Sequence, residues 1–235
     1  MKCAAIIVAA GSGNRFGSKI SKQFLKIDGI PIFLYSVNVF KSIKKFKQII
    51  VVVPVKMVRI FKKYIGLFDY IAGGKERLNS IKNGLSIVRK DIDFVAIHDA
   101  SRPLISKIDV LNVLKEAKKT GAAIAVEKIE DTVKSISNNG QVLKTLNRDF
   151  LRKAQTPQIF KFNILKQVYS VAKTLKKCIT DDSQLIEKFL NLKISTVETR
   201  FLNLKITTKK DFLLAKIILK HKHSLFNKKF LEITK

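Results

Sequence analysis

Near the start of the chain, Gly11, Gly13 and Gly17 are interleaved with Arg15, Lys19 and Lys22 in the stretch AAIIVAAGSGNRFGSKISKQF, residues 4–24. Glycine accepts positive φ and has no Cβ to hold a ligand off, so successive backbone N–H groups can close on an anion. Cations at the far end of such a loop meet the charge that the backbone has cradled. The chemistry this combination supports is the binding of a phosphate chain, read here as that of a nucleoside triphosphate. The apolar run in front of the loop reads as a buried strand, which makes this a strand-end site.

Two familiar phosphate motifs do not fit. The dinucleotide fingerprint needs glycine at position 16, where Phe16 stands, and no acidic residue ends the second strand to hold a ribose. The Walker pattern needs a Gly-Lys-Ser/Thr triplet, which Gly17-Ser18-Lys19 does not supply. Two cysteines and three scattered histidines have no zinc-ligand spacing, and no Ser/His/Asp or Cys/His arrangement marks a protein nucleophile. What remains is A-A-G-x-G-x-R-(x)₆-K-Q, spelled by Ala9-Ala10-Gly11-Ser12-Gly13-Asn14-Arg15 and closed by Lys22-Gln23.

The elements that must position this loop alternate between strand and helix. FKQIIVVVP (Phe46 to Pro54) is a continuous apolar run of the kind covered on both faces. Helices are expected over Pro31 to Phe40, Val55 to Ile65 and the KERLNSIKNGLSIV stretch, with a short strand at Tyr70 to Ala72. A fourth strand, DFVAIH, runs straight into Asp99-Ala100-Ser101-Arg102-Pro103. Ser106 is placed to cap the next helix, Gly121 to close it, and a fifth strand covers Ala122 to Val126. Such alternation makes a parallel sheet, whose functional groups gather beyond the strands' carboxyl ends.

Beyond Val126 the alternation breaks. Asn138-Asn139-Gly140, flanked by Val133, Ile136, Val142 and Leu146, signals a hairpin within an arm at about 128–152. A two-stranded arm exposes edges and is marginal alone, so a second subunit is its expected support. Gln155-Thr156-Pro157-Gln158 returns the chain to the body. Helices are then expected over Asn163 to Lys173 and, capped by Thr180, over Asp181 to Phe189. Strands near Lys193 to Val197 and Asn203 to Ile206, a helix from Lys209 to Leu219 and a frayed basic tail at 220–235 complete one domain, 1–235.

Composition bounds the partners. The 235 residues are 46% hydrophobic, enough for a sizeable core, and no apolar run approaches the roughly 18 residues of a membrane span. A soluble cytoplasmic protein with reduced thiols and no membrane association is the expectation. The formal net charge of +28 raises the alternative of a nucleic-acid-binding protein. Only eight of the 46 basic residues are Arg, however, and the lysines are strewn along the chain rather than gathered. That pattern fits solvated helix faces and a positive field for phosphate ligands better than a nucleic-acid surface.

The ordered motifs resemble the sugar nucleotidyltransferases, and among them the cytidylyltransferases of the non-mevalonate isoprenoid pathway, which join 2-C-methyl-D-erythritol 4-phosphate to CMP. The resemblance runs from Cys3 to Leu219. It rests on the loop above, Gly73-Gly74 with Arg77 and Ser80, His98 to Pro103, Asp131-Thr132-Val133-Lys134, Gln155 to Gln158, Thr180-Asp181-Asp182, and Asn203-Leu204-Lys205-Ile206-Thr207. It implies a Rossmann-like nucleotidyltransferase fold of the α/β class: a mostly parallel central sheet flanked by helices, with a protruding β-hairpin arm and a homodimer formed through it. It also implies attack by a phosphate oxygen of the acceptor on the α-phosphorus of CTP, with Mg²⁺ bridging phosphate oxygens.

By the same resemblance, Arg15, Lys22 and Lys205 are the catalytic cations. Ala9, Ala10, Gly11, Gly13, Gly73 and Ser80 hold the nucleotide, and Asp99, Arg102, Thr132, Arg148 and Thr180 bind the acceptor, with Asp99 also facing the metal. Plainer roles exist for several of these. Asp99 serves equally as a turn cap, Lys205 as one more surface lysine, Thr180 as an N-cap and His98 as a packed strand-end residue. Val8, Lys75 and Ser101 depart from the pattern, standing where proline, an acidic residue and a small apolar residue are frequent. The nearest alternative acceptor is another polyol phosphate such as ribitol 5-phosphate, and a non-catalytic dimeric scaffold is a further reading.

Overall fold

The computed structural model describes residues 1–11, 21–64, 66–171, 181–190 and 192–229, apart from the side chains of Lys63 and of residues 222–229. The chain opens with β1 (Cys3–Val8) and a small ladder of β2 (Lys26–Ile27) and β3 (Ile30–Pro31). It then alternates α1 (Ile32–Lys41), β4 (Phe46–Val53), α2 (Val58–Phe61), β5 (Asp69–Ala72), α3 (Arg77–Ser86), β6 (Phe94–Asp99), α4 (Lys107–Thr120) and β7 (Ala122–Lys128). After β8 (Val133–Ile136) and β9 (Val142–Leu146) come β10 (Arg152–Lys161), α5 (Phe162–Val171), α6 (Asp182–Leu190), β11 (Ser195–Glu198) and α7 (Lys209–Lys229). Seven strands form one sheet in the order β11-β7-β10-β6-β1-β4-β5. Only β10 runs antiparallel to its neighbours.

The apolar strands are continuous because helices cover both faces. Cys3, Ala5 and Ile7 of β1 point to one face, where Phe33, Val37 and Phe40 of α1 and Val110, Val113 and Ala117 of α4 pack. Ala4 and Ile6 point to the other, against Ile81 and Leu85 of α3, Leu165 and Val168 of α5, and Leu185 and Ile186 of α6. A third cluster ties Ala215 and Leu219 of α7 to Ile206, Leu104 and Ile32. Among the described residues β8 and β9 pair only with each other, with Gly140 at φ +82° in their turn.

Four expectations change. The stretch Val55 to Ile65 is three short turns rather than one helix: 3₁₀ turns at Val55–Met57 and Lys62–Tyr64 flank α2, and Ile65 lies outside the described residues. Residues three apart eclipse in a 3₁₀ turn, which brings Phe61 and Tyr64 together, ring centroids 5.2 Å apart, in a cluster with Phe33 and Phe68. Asn203 to Ile206 lies in no strand, and the Ile206 N–H donates to the Ser101 carbonyl in a loop. The Gln155 to Gln158 segment lies inside the ten-residue strand β10, where Pro157 falls in a break of register between Ala154 and Gln158 that requires no ladder donor from it. Finally, α7 continues past Leu219 to Lys229, and residues 230–235 lie outside the described residues.

The ends of α4 are as the sequence reads. Ser106 Oγ accepts from the Asp109 N–H at 3.0 Å, and Gly121, at φ +90°, donates its N–H to the Ala117 carbonyl. The buried Asp109 carboxylate also accepts from the Arg200 N–H at 2.9 Å, so this cap anchors the segment after β11. Ser106→Ala is expected to cost about 1 kcal/mol. Urea denaturation followed by far-UV circular dichroism will show this as a lower midpoint at unchanged slope.

Candidate active site

Because β1, β4, β5 and β6 are parallel, the loops leaving β1, β5 and β6 emerge at one edge of the sheet. Backbone bonds continue past the strand ends and hold these loops in register: Ala9 N–H to Val52 O, Gly73 N–H to Val53 O, and Ala100 N–H to Val8 O. Together they floor a cleft of about 600 Å³ whose wall includes Ala10, Gly11, Lys22, Gly74, Arg77, Asp99, Arg102 and Lys205.

Gln23 shapes the first loop. Its side chain is buried, and Nε2 donates to Ala9 O at 2.5 Å and to Gly11 O at 2.8 Å. One amide group thus clamps two carbonyls of the glycine-rich turn, and Lys22, next to it in sequence, lines the cleft. The sequence reading includes Gln23 in the loop motif without giving it a role. Its signal is a lone amide beside Phe24 and Leu25. Gly13 and Arg15 lie outside the described residues.

The second loop crosses the first so closely that Gly73 admits no side chain. A Cβ there would lie 2.3 Å from the Ala10 Cβ and 2.9 Å from Ser80 Oγ. Ser80 Oγ itself accepts from the Gly74 N–H and donates to Glu76 O, both at 3.1 Å, so the hydroxyl folds the loop that it lines.

Asp99 collects the charge. Its Oδ2 lies 2.8 Å from Lys205 Nζ and 3.5 Å from Arg102 Nε, the latter an ion-pair distance without a hydrogen bond. Burial opposes ionisation of this carboxyl, but the attraction of Lys205, Arg77 and Arg102 outweighs it and holds the group far below the usual carboxylate range. Arg102 Nη1 donates to the Asn203 carbonyl at 2.7 Å, while Asn203 Nδ2 donates to Thr156 O and to Gln155 Oε1. These bonds hold the Asn203 to Ile206 segment, and Lys205 with it, against the cleft.

His98 supports this floor and takes no part in the charge cluster. The Thr156 hydroxyl accepts from the Asp99 N–H and lies 3.1 Å from His98 Nδ1; because the Arg102 carbonyl that faces Nε2 can only accept, the hydroxyl donates its own proton to Nδ1. The ring then carries its proton on Nε2, facing the Arg102 carbonyl at 3.3 Å. Burial pushes the imidazole down to about 4 from an ordinary 6.5 and outweighs the attraction of Asp99. His98 is the packed strand-end residue that the sequence points to.

Of the remaining acceptor-side residues, the two that are described do not line this cleft. Thr132 and Arg148 stand exposed on the arm, away from the cleft lining, with Arg148 Nη1 donating to the Glu130 carbonyl. Thr180 and its expected capping role lie outside the described residues; Asp181 Oδ1 accepts from the Gln184 N–H of α6 at 2.9 Å. For a metal, Asp99 supplies one ionised carboxylate in the cleft. No group of three His, Cys, Asp or Glu side chains suited to a metal occurs among the described residues. One carboxylate is compatible with Mg²⁺, which commonly takes one or two carboxylates together with substrate phosphates and water.

Comparison with known proteins places this geometry. The family model of 2-C-methyl-D-erythritol 4-phosphate cytidylyltransferase matches residues 3–221. The chain belongs to this family. A curated relative of that name from Endomicrobium trichonymphae is 61% identical over 221 residues, 94% of this chain and all of the relative. Another from Clostridium botulinum is 36% identical over 214 residues, 84% of this chain and 93% of the relative. The crystal structure of 4-diphosphocytidyl-2C-methyl-D-erythritol synthase from Anaerococcus prevotii superposes with a TM-score of 0.81 at 31% identity, covering 93% of this chain and 98% of that one.

This cytidylyltransferase is therefore an enzyme of the nucleotidyltransferase class. Its fold is the mostly parallel sheet flanked by helices, with a β-hairpin, that the motif order implies.

Two measurements check the site's physics. Gly73→Ala drives the Ala10 and Gly73 loops apart, and a misplacement on the order of 1 Å in such a site costs about 100-fold in turnover; kcat/KM for the nucleotide reads the loss. For pH, the unfolded chain takes up a proton at His98 near 6.5 and the folded chain only near 4, so stability falls as pH drops through that window. The fall at this one group is about 3 kcal/mol by pH 4, read from urea midpoints. Asp99 contributes separately, because its stabilisation is lost only below roughly pH 3.9. His98→Asn is expected to flatten the slope between pH 6.5 and 4.

Proposed function

We propose that this chain transfers CMP from CTP to 2-C-methyl-D-erythritol 4-phosphate and releases pyrophosphate. The observation that carries the reading is the convergence of Arg77, Arg102 and Lys205 around Asp99 at the strand ends, in a cleft that Lys22 also lines and in a chain of this family. The relatives' shared name favours the methylerythritol acceptor over ribitol 5-phosphate.

The acceptor's phosphate monoester has a second pKa near ~6, so it is largely dianionic at neutral pH and nucleophilic without a protein base. One of its oxygens bonds to the α-phosphorus in line as the bond to the β-phosphate oxygen breaks, and pyrophosphate leaves with the electron pair. The enzyme's work is alignment and cationic stabilisation of charge on the α-phosphate and the leaving group. Arg15 and Lys22 act on the triphosphate, and Lys205 acts from the opposite side. Backbone groups of Ala9, Ala10, Gly11, Gly13 and Gly73, with Ser80, hold the nucleotide, while Asp99 and Arg102 hold the acceptor's hydroxyl end.

Asp99 is the residue that would hold Mg²⁺, which when bound neutralises phosphate charge and orients the oxygens around it. Lys205 occupies this carboxylate in the structure, so substrate binding redistributes that ion pair.

The chain acts as one nucleotidyltransferase domain in the cytoplasm, binding neither nucleic acid nor membrane, and pairs with a second copy through the arm. Ile136, Val142, Leu143 and Phe150 are exposed on or beside the two-stranded arm, an apolar surface that a partner subunit would cover. Thr132, Arg148 and Thr180 then bind the acceptor phosphate across that interface. No helix among the described residues is long and apolar enough to cross a membrane.

Pyrophosphate release by the purified chain with CTP, Mg²⁺ and a panel of polyol phosphates tests the reading. Turnover is expected with 2-C-methyl-D-erythritol 4-phosphate; turnover only with ribitol 5-phosphate sinks the acceptor assignment. Lys22→Ala and Lys205→Ala are each expected to lower kcat by about 100-fold or more. Near wild-type rates in either variant remove that lysine from the mechanism.

A further inference from the structure

The cleft lies at the edge of the sheet where β1 and β6 end; at the edge where they begin is a second hollow, of about 650 Å³. The six residues of β1 separate the two by roughly 20 Å, and no residue lines both. Four lysines line the hollow from segments distant in sequence: Lys90 from the loop between α3 and β6, Lys118 from the last turn of α4, Lys161 from the end of β10 and Lys166 from α5. Buried Ile92, Phe94 and Phe162 form its apolar base.

Two of these lysines are held by the fold. Lys166, one helical turn beyond Phe162, places Nζ 4.8 Å from the centre of that ring. The stem of Lys161 lies beside Gly121, where a Cβ would stand 3.8 Å from Cδ and 3.9 Å from Cε. Other lysines of the chain meet carboxylates, among them Lys2 with Asp91, Lys153 with Glu127 and, next to Lys118, Lys119 with Glu116. None of the four does so among the described residues. The one acidic residue of the lining, Asp93, gives its Oδ2 to the Lys2 N–H at 2.7 Å.

Solvation of helix faces accounts for lysines that point apart, not for four drawn to one hollow against their mutual repulsion. A concavity lined by one sign of charge over low-dielectric walls focuses its field on whatever enters. Lysine ammonium groups are rotatable point charges, which take phosphate oxygens without demanding a fixed geometry. A single phosphate meets one or two of them, whereas engaging all four takes several linked phosphates. The volume also falls within the range of about 300–1,000 Å³ common to small-molecule pockets.

We propose that this hollow is a second anion site, separate from the cleft, and that it binds a small polyphosphate, a molecule carrying two or more linked phosphate groups. The site goes beyond the transfer reaction and takes no part in it.

The test uses the full chain and inorganic tripolyphosphate in metal-free buffer of low ionic strength. Calorimetry is expected to give one binding event per chain in Lys22→Ala/Lys205→Ala, where the cleft is weakened, and Kd is expected to rise about tenfold or more when Lys118→Glu and Lys161→Glu are added. Amine acetylation read by mass spectrometry locates the event in wild-type protein. Tripolyphosphate is expected to slow labelling of Lys90, Lys118, Lys161 and Lys166 about threefold or more, and to leave Lys56 and Lys62, exposed beyond β4, unchanged. Sulfate at the same concentration is expected to protect the four far less. ATP run alongside separates the sources: protection by both ligands sustains a site open to nucleotide-borne phosphates, and protection by tripolyphosphate alone sustains one for inorganic chains.

Equal protection of Lys56 and Lys62, or equal weakening by Lys56→Glu/Lys62→Glu, overturns the proposal, because the response is then to net charge alone. Sulfate protection as strong as that of tripolyphosphate overturns the polyphosphate class, and unprotected labelling of the four lysines overturns the site. If the charge-reversed protein does not fold, the labelling of wild-type protein decides by itself. CTP turnover in Lys118→Glu/Lys161→Glu is expected to match wild type, and its loss overturns the separation of hollow from cleft.

Discussion

The ionised carboxylate of Asp99 is the constraint around which the rest of the cleft is arranged. It sits at the end of a strand buried along its whole length, where an unpaired charge would carry a desolvation cost of several kcal/mol. Lys205 and Arg102 meet that cost, and each is in turn held by something distant in sequence. Arg102 is tied to the Asn203 carbonyl, Asn203 to β10, and the chain just beyond Lys205 to Ser101. Removing the carboxylate would leave the cations Lys205, Arg102 and Arg77 without it in one cleft, and removing the cations would leave a buried anion there. The site therefore depends on the whole exchange of charges.

A parallel sheet makes that exchange possible. Strands running in one direction deliver the Gly11, Gly73 and Asp99 loops to one edge, and backbone bonds beyond the strand ends set their spacing. The spacing is tight, since Gly73 and Ala10 leave no room for another atom. The antiparallel β10 then inserts between β6 and β7 and brings Gln155, Thr156 and Gln158 to the opposite wall. Each of these polar side chains is buried and hydrogen-bonded: Thr156 fixes His98, Gln155 fixes Asn203, and Gln158 fixes α6. These bonds tie β10 to β6, to Asn203 and to α6 on this side of the cleft.

Much of the fold was legible in the chain because local chemistry agreed with the global pattern. The runs at Cys3 to Val8 and Phe46 to Val53 could only be strands covered on both faces, and Ser106 with Gly121 marked both ends of α4. Misreadings fell where tertiary contacts override local preference. The Gln155 to Gln158 segment, expected only to return the chain to the body, lies in a strand that accommodates Pro157 in a register break. Asn203 to Ile206 has strand-like residues, yet its backbone bonds to a loop. In the Val55 to Tyr64 stretch, Phe61 and Tyr64 join an aromatic cluster with Phe33 and Phe68, while Val55 and Ile60 stay exposed.

The sequence by itself determined the order of the motifs and the family, because these rest on residue types at short spacings. Tertiary structure alone decided which charges meet. Lys205 is one lysine among many until it lies 2.8 Å from Asp99, and Arg77 is a helix-start arginine until Asp182, 105 residues later, takes one of its nitrogens. Ion pairs and buried amide clamps form between groups brought together by sheet order and helix packing. No local spacing encodes them, whereas a glycine turn or a helix cap is complete within a few residues.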